Sequence, residues 1–148
     1  MRKFYSMAKN LLLDTGFWYA LYDERDSHYE GAQILAELLL DFNNLVIPWP
    51  SLYETLNTRF IRRRAWLESF ATYLTRINTV QLPDEMYRQY ALGSVLRNQT
   101  RGRSLSLVDA IIRLALEDPD VKIDAMVTFN QADFYDTCAS RNIELISD

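Results

Sequence analysis

The chain has 148 residues, 49% of them hydrophobic, with one cysteine and a formal net charge of −4. That length supports one domain with a proper core and is too short for two. A lone Cys138 excludes an internal disulfide and fits a reducing, cytoplasmic setting, and no apolar run approaches the roughly 20 residues that a bilayer demands.

In chain order, Met1-Arg2-Lys3 has the charge of a signal-peptide start, but Leu11-Leu12-Leu13 is cut short by Asp14 and cannot be its apolar segment. Residues 1–9 therefore read as a short extension before a buried strand at 11–13. A short helix is expected over 15–21. Ser27-His28-Tyr29-Glu30 matches a capping box and opens a helix with Ala32, Leu35, Leu38 and Leu39 on one face. Leu45–Ile47 is a second strand, ended by Pro48-Trp49-Pro50. Ser51-Leu52-Tyr53-Glu54 is a second capping box, predicting a helix from there to about Arg63. The periodicity of Trp66, Phe70, Tyr73, Leu74 and Ile77 predicts another. A strand at 79–82 follows, then a helix from Pro83 to about Asn98. The polar stretch 99–104 is the clearest loop. Beyond it come a helix over 106–117, a strand over 125–129, a helix over 133–141 and a closing strand over 143–146.

Strands alternating with helices imply a parallel β-sheet flanked by helices on both faces, an α/β three-layer sandwich in one domain spanning 1–148. In such a sheet ligands bind beyond the carboxyl ends of the strands. Asp14 and the segment Thr128–Asp133 belong there.

Four acids adjoin apolar runs: Asp14 after Leu13, Glu54 after the second strand, Asp109 between Val108 and Ala110-Ile111-Ile112, and Asp133 after Val127-Thr128-Phe129. A carboxylate beside buried elements is costly to ionise without compensation. Each also has a plain structural reading. Asp14 fits an N-cap, Glu54 and Asp109 fit capping positions three residues after Ser51 and Ser106, and Asp133 fits a surface acid or helix starter. Their joint placement favours a shared divalent cation.

Charge is unevenly spread. Residues 59–103 hold nine arginines against three acids, a local +6, and the remainder carries −10. A basic lobe facing an acidic one suits an enzyme acting on a polyanion. Arg62, Arg63, Arg64, Arg97, Arg101 and Arg103 are candidates for contact with the backbone of such a polyanion, the alternative being a solvated helix face. Trp18, Tyr19 and Tyr22 could stack on bases or meet a partner protein, with core packing the default for Trp18.

Other chemistries lack their residues. There is no glycine-rich phosphate loop, Asp14-Thr15-Gly16 lacks the second aspartate of an aspartyl-phosphate motif, and one His with one Cys makes a usual zinc site improbable. His28 reads as an exposed first-turn residue and Cys138 as core filling.

Leu12-Leu13-Asp14-Thr15, Pro50-Ser51-Leu52-Tyr53-Glu54-Thr55-Leu56-Asn57, Ser106-Leu107-Val108-Asp109-Ala110-Ile111-Ile112 and Val127-Thr128-Phe129-Asn130-Gln131-Ala132-Asp133-Phe134 together resemble the PIN domain, in the order and approximate spacing of VapC-like toxins. The resemblance covers the chain from about residue 10. It implies a Mg2+- or Mn2+-dependent endoribonuclease, the toxin of a toxin–antitoxin pair, with RNA as substrate, a small antitoxin protein as partner and a homodimeric state. Asp14, Glu54 and Asp109 match the family's three principal acids. At the fourth position many members carry an acid directly after the strand, where this chain has neutral Asn130, with Asp133 following. The alternative is a catalytically silent PIN-fold module that binds RNA or protein.

Magnesium and manganese prefer hard oxygen ligands. On that chemistry Asp14 and Asp109 are expected as direct ligands, with Glu54 and Asp133 completing the shell. Thr15 and Thr128 would support them through their hydroxyls, and Asn130 would orient the scissile phosphate.

Overall fold

A computed structural model describes residues 9–97 and 104–147. Its five strands, β1 (Asn10–Leu13), β2 (Asn44–Pro48), β3 (Thr79–Leu82), β4 (Ala125–Val127) and β5 (Glu144–Ile146), form one sheet in the order β3-β2-β1-β4-β5. Every pairing is parallel: Leu11 lies against Leu45 on one side and Ala125 on the other. β1 is thus the central strand, and all five carboxyl ends face the same edge.

Between the strands lie α1 (Thr15–Tyr22), α2 (Tyr29–Leu38), α3 (Trp49–Thr55), α4 (Thr58–Ile61), α5 (Arg64–Leu74), α6 (Arg88–Arg97), α7 (Leu107–Glu117) and α8 (Tyr135–Ser140). The alternation of side chains along a strand sorts them into two layers. Leu11, Leu13, Leu45, Ile47, Ala125 and Val127 point to one face, where they pack with Phe17, Trp18, Leu35 and Phe70. Leu12, Val46 and Met126 point to the other and meet Ile112, Leu116, Phe134 and Cys138. Both faces are therefore covered, giving the three-layer α/β sandwich, and the strands read as continuous apolar runs for that reason. Trp18 is fully buried, its ring edge-on to Phe17, Phe70 and Tyr73. Cys138 is core filling, as expected.

Two of the expected caps fail. The helix over 51–63 is two pieces, and its start lies earlier. Pro50 has no N–H to satisfy and its fixed φ suits a first turn, so α3 begins at Trp49 directly after β2. Ser51 thereby turns inward, fully buried, with its hydroxyl unpartnered. Asn57 then caps α4, its Oδ1 accepting from the Phe60 N–H at 3.1 Å. Ser27 does not cap α2 either. The Asp26 carboxylate accepts from the His28 N–H at 2.9 Å, shaping a turn that delays the helix to Tyr29. His28 is half-buried rather than exposed, its ring stacked on Phe129 at 4.3 Å between centroids.

Ser106 does cap α7, accepting from the Asp109 N–H at 3.0 Å. The helices expected over 83–98 and 133–141 each open with a 3-10 turn, Glu85–Tyr87 and Gln131–Asp133. β4 stops at Val127, two residues short of expectation, because Phe129 leaves the sheet to meet His28. The loop expected over 99–104 falls almost wholly outside the described residues, as does the extension before residue 9.

Candidate active site

Asp14 follows the last residue of β1, and its backbone N–H donates to the Val127 carbonyl at 3.2 Å. It is the N-cap of α1: Oδ1 accepts from the Thr15 N–H at 2.8 Å. The same carboxylate accepts through Oδ2 from the Thr128 hydroxyl at 2.9 Å. Thr128, completely buried, also accepts from the Asn130 N–H at 3.0 Å. The N-cap reading of Asp14 is therefore correct for one oxygen, and the other is held by Thr128 at the carboxyl edge of the sheet.

Burial pushes the Asp14 pKa up in spite of those two hydrogen bonds, and the charges of Glu54 and Asp133 push it further. Asp109, half-buried in the first turn of α7, is raised to about 6, first by burial and then by the charges of Asp14, Asp133 and Glu54. Carboxylates brought together by three different helices thus sense one another electrostatically. Glu54 is exposed on α3 and is not a capping residue. Its Oε1 accepts from the Thr15 hydroxyl at 2.8 Å, a contact spanning 39 residues of chain.

Asp133 is half-buried behind this group. Its carboxylate accepts from the Asn130 side-chain amide, and its backbone carbonyl accepts from the Arg113 guanidinium at 2.7 Å. Arg113, one turn beyond Asp109, is itself committed to Asp136 through two bonds of 2.7 and 2.9 Å. Asp14, Thr15, Glu54, Asp109 and Asn130 line an open cleft of about 680 Å³. Asp133 does not line it and reaches it through its bond with Asn130 and through its charge.

The opposite wall contains residues that sequence reasoning did not single out as site residues. Arg59 borders the cleft, its guanidinium 2.9 Å from the Asp23 carboxylate and 5.4 Å from the Tyr19 ring centre. Asn57 donates its amide to the Tyr19 hydroxyl and, at 2.8 Å, to the Glu54 carbonyl. Only the cap signal of Asn57 was available in the sequence, since Arg59 is placed by the break between α3 and α4. Of the arginines selected from the sequence, Arg62 and Arg63 are exposed where α4 meets α5, with Arg63 packed 4.5 Å from the Trp66 ring centre. Arg64 pairs with Glu68 at 3.5 Å, and Arg97 is exposed in the last turn of α6. Arg101 and Arg103 lie outside the described residues.

The carboxylates and hydroxyls of the cleft offer oxygen donors, a set matched to a hard divalent cation. Among the described residues, however, no three His, Cys, Asp or Glu side chains are gathered closely enough to hold an ion as they stand. Thr15 draws the Glu54 carboxylate to itself and Asn130 does the same to Asp133. The donor chemistry fits such a cation, while in the structure Glu54 and Asp133 are engaged with Thr15 and Asn130.

No protein-family profile matches the chain, and no curated protein matches it in sequence. Solved structures do. The chain is similar to VapC20 from Mycobacterium tuberculosis, described as a sarcin-ricin loop cleaving toxin, at 21% identity and a TM-score of 0.66, covering 93% of this chain and 99% of that one. It is also similar to a chain of VapBC2 from Rickettsia felis, solved bound to a DNA fragment from their promoter, at 19% identity and a TM-score of 0.57, covering 94% and 99%. Likeness at these identities is likeness of fold: the chain has the PIN-like α/β fold of VapC toxins.

Proposed function

We propose that this chain is a divalent-metal-dependent endoribonuclease, the toxin of a toxin–antitoxin pair, acting in the cytoplasm as a homodimer held in check by a small antitoxin protein. The observation that supports this reading best is the mutual effect of the cleft acids. Asp14 and Asp109 are both raised by burial and by the charges of their acidic neighbours, and among the described residues no cationic side chain pairs with either carboxylate. Acids so arranged are suited to a shared positive ion. The two similar proteins, a sarcin-ricin loop cleaving toxin and a VapBC system, support RNA as substrate and an antitoxin as partner.

In this reading Asp14 and Asp109 are the ligands of Mg2+ or Mn2+, and Glu54 and Asp133 complete the shell. The ion, when bound, lowers the pKa of water and offsets charge on the phosphate. Thr128 fixes the Asp14 carboxylate through its hydroxyl, and Thr15 restrains Glu54. Asn130, exposed at the cleft, orients the scissile phosphate. Arg62, Arg63, Arg64 and Arg97, with Arg101 and Arg103, attract the RNA backbone.

A second reading, a silent PIN-fold module, is favoured by neutral Asn130 and by its hold on Asp133. Calorimetric titration with manganese, paired with a cleavage assay on structured and single-stranded RNA, separates the two. The nuclease binds manganese and cuts RNA only when it is supplied. Absence of both behaviours would rule out the enzyme.

A further inference from the structure

Tyr53 lies between two concavities. It lines the acid cleft on one side, and on the other a pocket of about 300 Å³ shared with Trp49, Pro83, Glu85 and Arg88. Trp49 and Tyr53 are one turn apart on α3, their ring centres 5.7 Å apart and inclined at 55°. Large aromatic side chains left in water are a cost to the folded protein, and these are 38% and 66% exposed while the rest of α3's aromatic and aliphatic neighbours are packed. Arg88 is half-exposed at the rim, bonded to buried Asp84 at 2.8 Å, so its guanidinium is held in place with one side free. Asp84 is thereby spent. Glu85 stands exposed beside it as an acceptor.

We propose that this pocket is a nucleobase subsite: an unpaired base of the RNA stacks on Trp49 and Tyr53, Arg88 takes an adjoining phosphate, and Glu85 accepts from the N–H groups of the base edge. This rests on the nuclease reading above, and it names the part of the substrate recognised next to the cleft. Several features argue for a nucleotide here. The pocket has the size of the smallest ligand sites. A cation borders it where a polyanion would continue from the acid cleft, and two π-faces stand where a base could leave its own stack. Continuity through Tyr53 matters most, because a strand laid across Glu54 must pass the ring of the residue before it.

The test uses the full chain carrying Asp109→Asn, so that RNA is bound without being cut. Affinity for a mixed-sequence single-stranded RNA oligonucleotide is measured across a salt series, alongside the same sequence annealed into a duplex. Trp49→Ala and Tyr53→Ala each weaken single-strand binding about tenfold, the loss of one stacked base. Trp49→Phe restores most of it, and the salt slope stays unchanged because no phosphate contact is removed. Arg88→Gln instead flattens the slope by about 0.7. Duplex binding is indifferent to the aromatic variants, since its bases stay stacked on each other. Unchanged single-strand affinity would overturn the subsite, and so would an equal loss for the duplex. Sedimentation run on the same samples adds a third refuting outcome: a drop in self-association would assign the ring pair to a second copy of the chain. Metal-dependent cleavage by the unsubstituted protein is assayed in parallel. Its absence refutes the nuclease reading, whereas cleavage with unaltered binding by the variants refutes the subsite alone.

Discussion

Helix α1 carries a buried aspartate at each end, and the two behave in opposite ways. Asp14 at the amino end is 8% exposed and Asp23 at the carboxyl end 6%. The helix dipole alone would favour a negative charge at Asp14 and disfavour it at Asp23, by roughly 0.3–1 kcal/mol each. Neither follows. Burial raises the pKa of Asp14, while the hydrogen bonds of Arg25, from its side chain and backbone, lower that of Asp23, with the charges of Arg25 and Arg59 adding to the effect. Charge-assisted hydrogen bonds of about 1.5–3 kcal/mol outweigh a helix end, and so does removal of a carboxylate from water.

The coverage differs in kind as well. Asp23 is shielded by the very arginines that neutralise it, at 2.9–3.3 Å. Asp14 is shielded by the sheet and receives only neutral donors, with further acids nearby. Asp84, paired with Arg88, belongs with Asp23, while Asp118, less buried, is held by the Tyr87 hydroxyl at 2.7 Å, which lowers its pKa. Where an acid serves the fold, the chain supplies its partner. Among the described residues no arginine or lysine pairs with Asp14 or Asp109, which is why they stand out as a candidate site.

Substitution at the two ends of α1 gives the largest expected contrast. On the proposed nuclease reading, Asp14→Asn is expected to lower metal-dependent RNA cleavage by about a thousandfold or more, since that reading makes Asp14 a ligand. Its melting temperature in metal-free buffer is unchanged or higher, because asparagine caps as well as aspartate and a buried charge is relieved. Asp23→Ala does the reverse. It leaves Arg25 and Arg59 without their acceptor and lowers the melting temperature by roughly 3–6 °C. Equal melting losses in the two variants would erase the distinction.

Acidity sharpens the same contrast. Asp109 has a folded pKa of about 6 against an ordinary value of 3.8. Between those values the folded state binds more protons than the unfolded one, so this group's contribution to stability falls as pH rises through the window and is flat above it. The melting temperature of Asp109→Asn minus that of the parent, without metal, is therefore expected to grow from pH 4 to about 6. Asp23 and Asp118, with lowered pKa values, contribute stability that is lost only as pH falls below the ordinary carboxylate range. A difference that shrinks with rising pH would show that Asp109 is not held against its charge.

The smallest expected effect concerns the corner where Asn130 holds Asp133. Asp133→Asn should weaken manganese binding several-fold, and more than Asn130→Ala does, if the aspartate supplies the charge that position 130 lacks. Calorimetry ranks the two. A larger loss from Asn130→Ala would make Asp133 a support for the Arg113 turn and nothing more.

Much of this was already present in the order of residues. Apolar runs too short for helices and alternating with helical periodicity require a parallel sheet buried on both faces, and that places Asp14 at a strand's carboxyl end before any coordinate is known. Ser106 was a legible cap because its helix starts with no competing turn residue. Ser51 and Ser27 offered the same local pattern and failed, since Pro50 and Asp26 offered the backbone another start. Tertiary structure alone decided the strand order that makes β1 central, and with it the meeting of Thr15 with Glu54 and of Thr128 with Asp14 across 39 and 114 residues. It did not decide which buried aspartates find arginines, since Asp23 meets Arg25 two residues on and Asp84 meets Arg88 four residues on, with Arg59 joining Asp23 from another segment. Local sequence carries the propensity of a segment and the compensation of an acid by its near neighbours, whereas the gathering of acids from separate segments depends on what those segments bring close, and that is set only when the layers close.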